Sequence, residues 1–417
     1  MPFSRFSSHV GSTCLSPRLA SGRGGQPHCE CEGIVLRNGT LSRKKITVGA
    51  PSRAQGIGSY LDPSPRPFTL NSERGFTTIT GRYKGVPISI VSIGMGSSNA
   101  DFFMREVREC LNGDMVVVRS IFSYLVASHL TTERCGVSVR LGSCGALIDV
   151  PVGSVVVPRA SIAVTRNYDF NFATGLSDEP PYRISKANLP FFRFMLIPLF
   201  DLPWVYASLA SIIRDLNSYQ IRESLARNRP SHINKPIVDN ILNASTDSFY
   251  SSQGRQTSFP DHNSDLIDNL ISSHKDLATF EMETFHILHL AASWHIEAHD
   301  MSGRPPPITR MPTSPSIYPS HLPSTQENVP DVATSAAGGK PLIPQPRIIA
   351  AATQMVFASR TSQDFITPQE VAQIEAWCGR AVLDALIGIA IDTTRLHDEV
   401  GSVWELKAGE IEDAMVR

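Results

Sequence analysis

The 417-residue sequence predicts an α/β protein in which a largely buried β-sheet is flanked by helices. Six short runs rich in β-branched residues begin between Lys45 and Pro158, and turns of small residues separate them. Several runs lack alternation of polar and apolar residues, as strands covered on both faces do. An apolar content of 41% in a chain of this length is enough for a large core.

The predicted strands and helices follow in chain order. The strand-like runs occupy residues 46–48, 77–80, 88–93, 115–118, 137–141 and 154–157. A helix is predicted from about Glu281 to His295, with apolar residues along one side. A second helix is predicted after Thr367, because Pro368 and Glu370 supply an N1 proline and a capping-box partner.

Three segments interrupt this pattern, at about 120–139, 188–234 and 298–347. Together with 30 prolines and 28 glycines, they predict long irregular insertions in one domain that spans 28–392. Residues 1–27 are predicted to be a disordered N-terminal tail, and residues 393–417 a C-terminal tail.

The segment 120–139 separates two similar runs, which end at Arg119 and Arg140. The sequence therefore leaves open which arginine ends a central strand, although Leu141 to Gly145 favours Arg140. Either the segment loops out of the sheet or it is not part of the functional protein. We favour the second account, with the hypothesis that the three segments are translated intron sequence.

The charge balance limits the classes of partner. With 38 basic and 39 acidic residues the net charge is −1, which disfavours nucleic acid and anionic membrane lipid as partners. Seven cysteines indicate a reducing compartment, so we expect a cytoplasmic protein. Mitochondrial import is the alternative, because residues 1–29 contain arginines and serines but no acidic residue.

A metal site is not expected. His28, Cys29 and Cys31 lack a second pair of ligands at zinc spacing. Glu283 and His286 lack the matching second motif that a dinuclear site requires.

Three glycine-containing turns follow predicted strands and are candidates for anion binding. They are Gly49 to Arg53, Gly94 to Gly96 and Arg140 to Gly145. A turn from a strand into a helix presents free backbone N–H groups, which suit a phosphate or a sugar hydroxyl. A guanidinium matches two phosphate oxygens, and the hydroxyl of Ser143 both donates and accepts. A tight turn without a ligand and an exposed arginine paired with a carboxylate are the alternatives.

Glu281-Met282-Glu283 carries two carboxylates at the predicted start of a helix. Residues two apart do not share one helical face, so we expect one carboxylate to point into a cavity. There it can accept hydrogen bonds from a sugar diol. A favourable negative charge at a helix N-terminus is the alternative.

Together these motifs resemble the nucleoside phosphorylase family that includes uridine phosphorylase and the hexameric purine nucleoside phosphorylases. The most specific element is the segment from Asp247 to Arg255, DSFYSSQGR, which resembles the uracil-recognition loop of uridine phosphorylases. Glu281-Met282-Glu283 and Ser359-Arg360-Thr361 follow in the family's order. The resemblance spans about 28–391 outside the interruptions and implies a three-layer αβα sandwich with a central mixed, mostly buried β-sheet of the phosphorylase/hydrolase-like type.

The resemblance assigns residues to three subsites. Phosphate would be bound by Gly49, Arg53, Arg140 and Ser143, together with Arg74 from a neighbouring subunit. Ribose would be bound by Met282, Glu283 and His28, which is similar to a histidine that crosses the dimer interface. The base would be bound by Phe249, Gln253, Arg255 and Arg360. The catalytic residues among these would be Arg140, Glu283, Gln253 and Arg255.

The implied reaction is phosphate-dependent cleavage of uridine to uracil and ribose 1-phosphate by a homo-oligomer, a dimer-based hexamer. Its substrates are a nucleoside and inorganic phosphate, and it needs no cofactor. Arg360 occupies the stretch where purine-specific members carry an aspartate, which favours a pyrimidine base. Two positions depart from the family pattern: Ala50 stands where an aspartate is usual, and Gly75 replaces a glutamate that helps bind potassium in some members.

The alternatives are a purine or broad-specificity phosphorylase, a nucleosidase that uses water, and a catalytically impaired relative that acts as a binding protein. The insertion before Arg140 and the missing aspartate at Ala50 favour the last of these.

Overall fold

The computed structural model describes residues 39–110, 135–187, 219–293, 347–389 and 399–406. Several of the positions discussed above lie outside these residues, namely the N-terminal tail at 1–27, His28, Arg119 and the predicted strand at 115–118. So do the larger parts of the three predicted insertions.

Ten strands and six helices make up the described part of the chain. The strands are β1 (Lys44–Val48), β2 (Phe68–Asn71), β3 (Thr77–Tyr83), β4 (Val86–Ser92), β5 (Cys135–Ala146), β6 (Val155–Arg166), β7 (Tyr182–Ile184), β8 (Ile237–Thr246), β9 (Leu277–Glu281) and β10 (Arg347–Ser359). The helices are α1 (Pro51–Gly58), α2 (Ser97–Cys110), α3 (219–227), α4 (Leu266–Ser273), α5 (Thr284–Ser293) and α6 (Pro368–Ile387). The predicted runs at 46–48, 77–80, 88–93, 137–141 and 154–157 overlap β1, β3, β4, β5 and β6.

The strands form one mixed sheet in the order β10-β6-β8-β9-β5-β1-β4-β3-β2, with β7 beside β6. β1 runs parallel to both β4 and β5, and β10 runs parallel to β5. Since β10 pairs with both β5 and β6, and β9 with both β5 and β8, the strands β5, β10, β6, β8 and β9 close into a ring. The predicted mixed sheet is confirmed, whereas the ring closure had no signal in the sequence.

Helices cover both faces of the sheet, because successive side chains of a strand point to opposite faces. On one face, Ile46 of β1 packs in a cluster with Ile57 of α1 and Trp377 of α6. On the other face, Val91 of β4 packs in a cluster with Phe103 of α2 and residues of α5. The predicted αβα layering is therefore confirmed.

Helix α6 begins where the sequence predicts. The Thr367 hydroxyl accepts a hydrogen bond from the Glu370 N–H, and the Glu370 carboxylate accepts one from the Thr367 N–H, both at 3.2 Å. These contacts satisfy two backbone donors that the helix leaves free at its N-terminus. The indole of Trp377 donates to Leu225 O at 2.9 Å and so joins α6 to α3.

Helix α5 begins three residues later than predicted. Glu281 is the last residue of β9, and the helix starts at Thr284. The Glu281 carboxylate accepts the N–H groups of Glu283 and Thr284 at 2.8 Å each, so it caps the helix from outside it. The prediction that Glu281 opens a helix was wrong, because helical periodicity does not distinguish a capping strand residue from a first turn.

The described residues also correct the bounds of the predicted insertions and the C-terminal tail. Cys135 to Val139 belong to β5, α3 lies within 188–234, and Arg347 opens β10. In the C-terminal segment, Trp404 is buried, and Arg82 of β3 donates to Trp404 O at 2.9 Å and to Glu399 at 2.7 Å. Residues 399–406 therefore pack on the β3–β4 hairpin.

Across 39–110, 135–187, 219–293, 347–389 and 399–406, no helix is long and apolar enough to cross a membrane. The same residues contain no group of three His, Cys, Asp or Glu side chains that could hold a metal ion.

Lys45 is fully buried in the middle of the sheet. Its ammonium donates to the backbone oxygens of Ser42 and Arg43 at 3.1 Å each. Burial first, and the charge of Arg43 second, lower the pKa of Lys45 to about 7. In the unfolded chain the pKa of a lysine is about 10.4, so between these two pH values the unfolded state binds more protons than the folded state.

We predict that the native protein gains stability relative to a Lys45→Met variant as pH rises from 7 to 9. The gain is about 2 kcal/mol. Each pH unit contributes about 1.4 kcal/mol once the folded lysine has lost its proton, and about half as much near pH 7, where the proton is still half bound. Urea unfolding of both proteins at the two pH values measures it. The exposed Lys275, replaced by Met, is the matched control, and equal pH slopes for all three proteins would contradict the prediction.

Candidate active site

The candidate site lies where the carboxyl ends of parallel strands meet. Gly49 follows β1, Gly94 and Gly96 follow β4, and Arg140 lies on the adjacent β5. Parallel strands end at the same edge of a sheet, so the predicted turns at Gly49 and Gly94 come together there beside Arg140. The prediction of a turn from Arg140 to Gly145 was wrong, because these residues lie within the continuous strand β5. Gly94 N donates to Gly49 O at 3.0 Å, which joins two of the turns directly.

Arg140 is buried, with 4% of its surface exposed, and its guanidinium is only partly used. Nη2 donates to Glu283 Oε2 at 2.5 Å. Among the residues that the structure describes, Nε and Nη1 have no hydrogen-bond partner although both atoms are buried. Because buried donors are rarely left unpaired, these two nitrogens, which carry three N–H groups, call for an acceptor that binds from outside the protein.

Glycines leave room around this guanidinium. A Cβ atom at Gly142 would lie 3.4 Å from Arg140 Nε, and one at Gly49 would lie 3.9 Å from Nη2. Gly94 has φ +71°, and a Cβ there would lie 2.9 Å from the Asn99 amide nitrogen, so a larger residue does not fit. The glycine turns and Arg140 together form a small cradle with free N–H donors.

Glu283 projects into the same cradle. Besides the contact with Arg140, its Oε1 accepts the N–H of Gly96 at 2.6 Å. Burial, reinforced by repulsion from Glu281, raises the pKa of Glu283 against the opposing effects of Arg140 and the Gly96 N–H. The carboxylate is held at the cradle but remains a strong acceptor for a hydroxyl.

The residues predicted to bind a base form a second cluster. The Arg255 guanidinium lies 3.8 Å from the centre of the Phe249 ring, and its Nη1 donates to Gln253 Oε1 at 2.5 Å. Gln253 Nε2 donates to Thr246 Oγ1 at 2.9 Å, and Arg360 Nη2 lies 3.4 Å from Gln253 O. The structure therefore brings all four predicted base-binding residues together.

The Arg255 guanidinium lies in a partly buried and positively charged environment. Burial first, and the nearby charge of Arg360 second, lower its pKa. Two guanidinium groups on one side of Gln253 leave excess positive charge, which suits an anionic or carbonyl-rich partner. The Phe249 side chain is 42% exposed, so its ring is accessible to a ligand.

Four predicted site residues are neither part of the contact between Arg140 and Glu283 nor part of the cluster predicted to bind the base. Arg53 of α1 is buried, and its Nε donates to Glu375 at 2.7 Å. Arg74 is exposed on the β2–β3 turn, where its guanidinium carbon lies 5.6 Å from the centre of the Phe102 ring. Ser143 is half-buried further along β5, and Met282 is buried beside Glu283.

Sequence reasoning missed the polar residues at the end of β8. Asn243, Ser245 and Thr246 are buried and bond to Glu281 or its neighbours. The signal was present only in part: three polar residues follow the apolar pair Ile241-Leu242 and need partners if buried, but Asp239 and Asn240 make the strand polar elsewhere as well.

Known proteins resemble this chain in sequence and in fold. A model of the phosphorylase superfamily matches residues 46–299, which is more than half of the chain. The chain belongs to the phosphorylase superfamily. The uridine phosphorylase of Thermococcus kodakarensis is 24% identical to this superfamily member over 269 residues, 64% of this chain and 73% of that protein.

Solved structures also resemble this superfamily member. One, from a structural and catalytic study of two diverse uridine phosphorylases in the oomycete Phytophthora capsici, superposes with a TM-score of 0.59 at 29% identity and covers 86% of this chain and 94% of that chain. A Trypanosoma brucei nucleoside phosphorylase, whose structure shows uridine phosphorylase activity, superposes with a TM-score of 0.52 at 17% identity and covers 85% and 96%. The second likeness concerns the fold alone.

The buried pair of Arg140 and Glu283 makes a testable prediction for this superfamily member. Arg140→Met leaves the carboxylate buried without its charge partner, which lowers the free energy of unfolding by about 3–5 kcal/mol near neutral pH. Burial raises the pKa of Glu283 above that of an unfolded glutamate, so the loss decreases as pH falls and the carboxyl becomes protonated.

Urea unfolding at pH 5 and pH 8 measures both effects. The double variant Arg140→Met/Glu283→Leu is the matched control, because it removes both charges and should regain much of the stability. A single variant as stable as the native protein at pH 8 would refute the prediction.

Proposed function

We propose that this superfamily member catalyses the phosphate-dependent cleavage of uridine to uracil and ribose 1-phosphate. The observation that carries the proposal is Arg140, which is buried beside glycine turns with two guanidinium nitrogens left for an outside acceptor. Inorganic phosphate, a tetrahedral oxyanion that serves as co-substrate, suits those donors.

The chemistry needs few groups. Phosphate attacks the anomeric carbon of ribose as the N-glycosidic bond breaks, and the transition state has the character of an oxocarbenium ion. Arg140, with Gly49 and Ser143, orients the phosphate, which is mainly a proximity effect. Glu283 accepts hydrogen bonds from the ribose hydroxyls, and Met282 lies against the sugar.

The leaving base carries away the bonding electron pair as uracil anion. Gln253 and Arg255 donate to its edge, Phe249 stacks on its face, and Arg360 adds positive charge nearby. The cluster of these four side chains supports a base with two carbonyl groups. The names of the Thermococcus kodakarensis and Phytophthora capsici relatives support uridine as the substrate.

The same proposal includes a dimer-based hexamer in the cytoplasm. Arg74 lies on an exposed turn, so its phosphate-binding role requires that a neighbouring subunit present its own cradle to it. His28 would reach the ribose of the adjacent subunit in the same way. Arg53 would contribute to phosphate binding with the guanidinium nitrogens other than Nε, which donates to Glu375.

The first experiment is an assay of uracil release from uridine with and without phosphate, with inosine as the competing substrate. Gln253→Ala should lower kcat/KM for uridine about 5- to 150-fold. The variant loses the amide at the base edge, which is expected to contribute about 1–3 kcal/mol to transition-state binding through one or two hydrogen bonds. Gln256→Ala, which removes an exposed amide bonded to Asn263, is the matched control.

Three outcomes of this assay would correct the proposal. Faster cleavage of inosine than of uridine contradicts the pyrimidine preference. Uracil release at the same rate without phosphate identifies a nucleosidase, and no release from any nucleoside identifies a binding protein.

The second experiment tests sites shared between subunits. Arg74→Ala and Arg140→Ala proteins are each expected to be nearly inactive. After mixing and subunit exchange, about a quarter of the sites should combine an intact Arg74 with an intact Arg140, because half of the dimers are hybrids with one intact site each. Native mass spectrometry of differently tagged subunits verifies the exchange. Complete exchange without recovered activity would show that each subunit builds its site alone.

A further inference from the structure

Glu281 is buried at the end of β9, and its carboxylate is fully used within the protein. Oε1 accepts from the Asn243 amide at 2.8 Å and from the Ser245 hydroxyl. Oε2 accepts the N–H groups of Glu283 and Thr284 at 2.8 Å each. A carboxylate has about four acceptor positions, so this one has none left for a substrate.

The two oxygens of Glu281 have different kinds of partner. Oε2 binds only backbone N–H groups of the turn that carries Glu283. Oε1 binds only side chains of β8, which is one of the five strands that form the closed ring of the sheet. Glu281 therefore connects the turn at Glu283 to β8 through hydrogen bonds.

Asn243 is held in turn by its own partners. Its amide nitrogen also lies 2.9 Å from Ser161 Oγ on β6, and its Oδ1 accepts from Thr279 Oγ1 at 3.0 Å. The Asn243 side chain is thus oriented so that it can only donate toward Glu281. Ser245 has the same arrangement, since its Oγ accepts the Phe285 N–H at 2.7 Å while it donates to the carboxylate.

We propose that Glu281, oriented by Asn243, is a positioning residue that places the carboxylate of Glu283 for the ribose hydroxyls and does not itself touch the substrate. This role rests on the proposed function of Glu283. The reason is geometric: a shift of the turn by about 1 Å is enough to reduce a rate about 100-fold when the moved group binds the reacting molecule.

An exchange of donor and acceptor between the two side chains tests the proposal. Asn243→Asp places two carboxylates against each other, and Glu281→Gln places an amide nitrogen against N–H donors, so each single variant breaks the contact. The double variant Asn243→Asp/Glu281→Gln restores it with roles reversed and with an unchanged net charge. The hydroxyls of Ser161 and Ser245 can rotate to donate to the introduced carboxylate.

Each single variant is expected to lower kcat/KM for uridine about 100-fold, and the double variant to recover to within about tenfold of the native value. The loss should be smaller for 2′-deoxyuridine, because that substrate lacks one hydroxyl that Glu283 binds. A loss of general stability does not distinguish the two substrates. Thr80→Val, which removes a buried hydroxyl of β3 that bonds to Thr40 O and Ser89 and to no side chain of this network, is the control and should keep the native ratio of the two kcat/KM values.

Crystal structures of the variants give a second measurement that does not depend on activity. The contact between Gly96 N and Glu283 Oε1, 2.6 Å in the native protein, should be lost in the single variants and restored in the double variant. If single variants keep this contact and the native substrate ratio, the positioning role is wrong. A native protein that releases no uracil refutes the proposed function instead, and the crystal structures then decide the positioning role alone.

Discussion

A contact between two buried charges, Arg140 on β5 and Glu283 after β9, is central to the organisation of the site. Each charge makes the burial of the other tolerable, because an unpaired ion in this layer would cost several kcal/mol. The pair does not satisfy Arg140, however, since Nε and Nη1 remain without partners among the described residues. Replacing both members of such a pair by apolar residues often costs little stability, whereas removing one member alone is strongly destabilising.

The end of β8 connects the two halves of the site. Asn243 and Ser245 hold Glu281, which orders the turn at Glu283. Thr246 donates to Glu281 O at 3.2 Å and accepts from Gln253 at 2.9 Å. One strand end thus sets the position of both the carboxylate near the cradle and the amide of the second cluster, so a shift of β8 would move both together.

The two faces of the sheet differ in polarity near the site. On β1, Ile46 and Val48 lie in the apolar cluster beneath α1 and α6, whereas Lys45 and Thr47 alternate with them and point to the opposite face. Thr47 is the register partner of Arg140 on β5. The face of the sheet that carries Arg140 is therefore more polar than the face that holds the larger hydrophobic cluster. Burial of that cluster stabilises a sheet that also contains a charged site.

The sequence by itself determined the local features: the strand-forming runs, the capping box at Thr367, the turns at Gly49 and Gly94, and the residue types of the segment predicted to bind a base. Each depends on residues that are neighbours in the chain, so spacing reveals it. The tertiary structure alone decided that Glu281 ends a strand, that Arg53 pairs with Glu375, that Cys135 to Val139 belong to β5, and that five strands close into a ring. Those outcomes depend on contacts between residues far apart in the chain, and local periodicity contains no information about such partners.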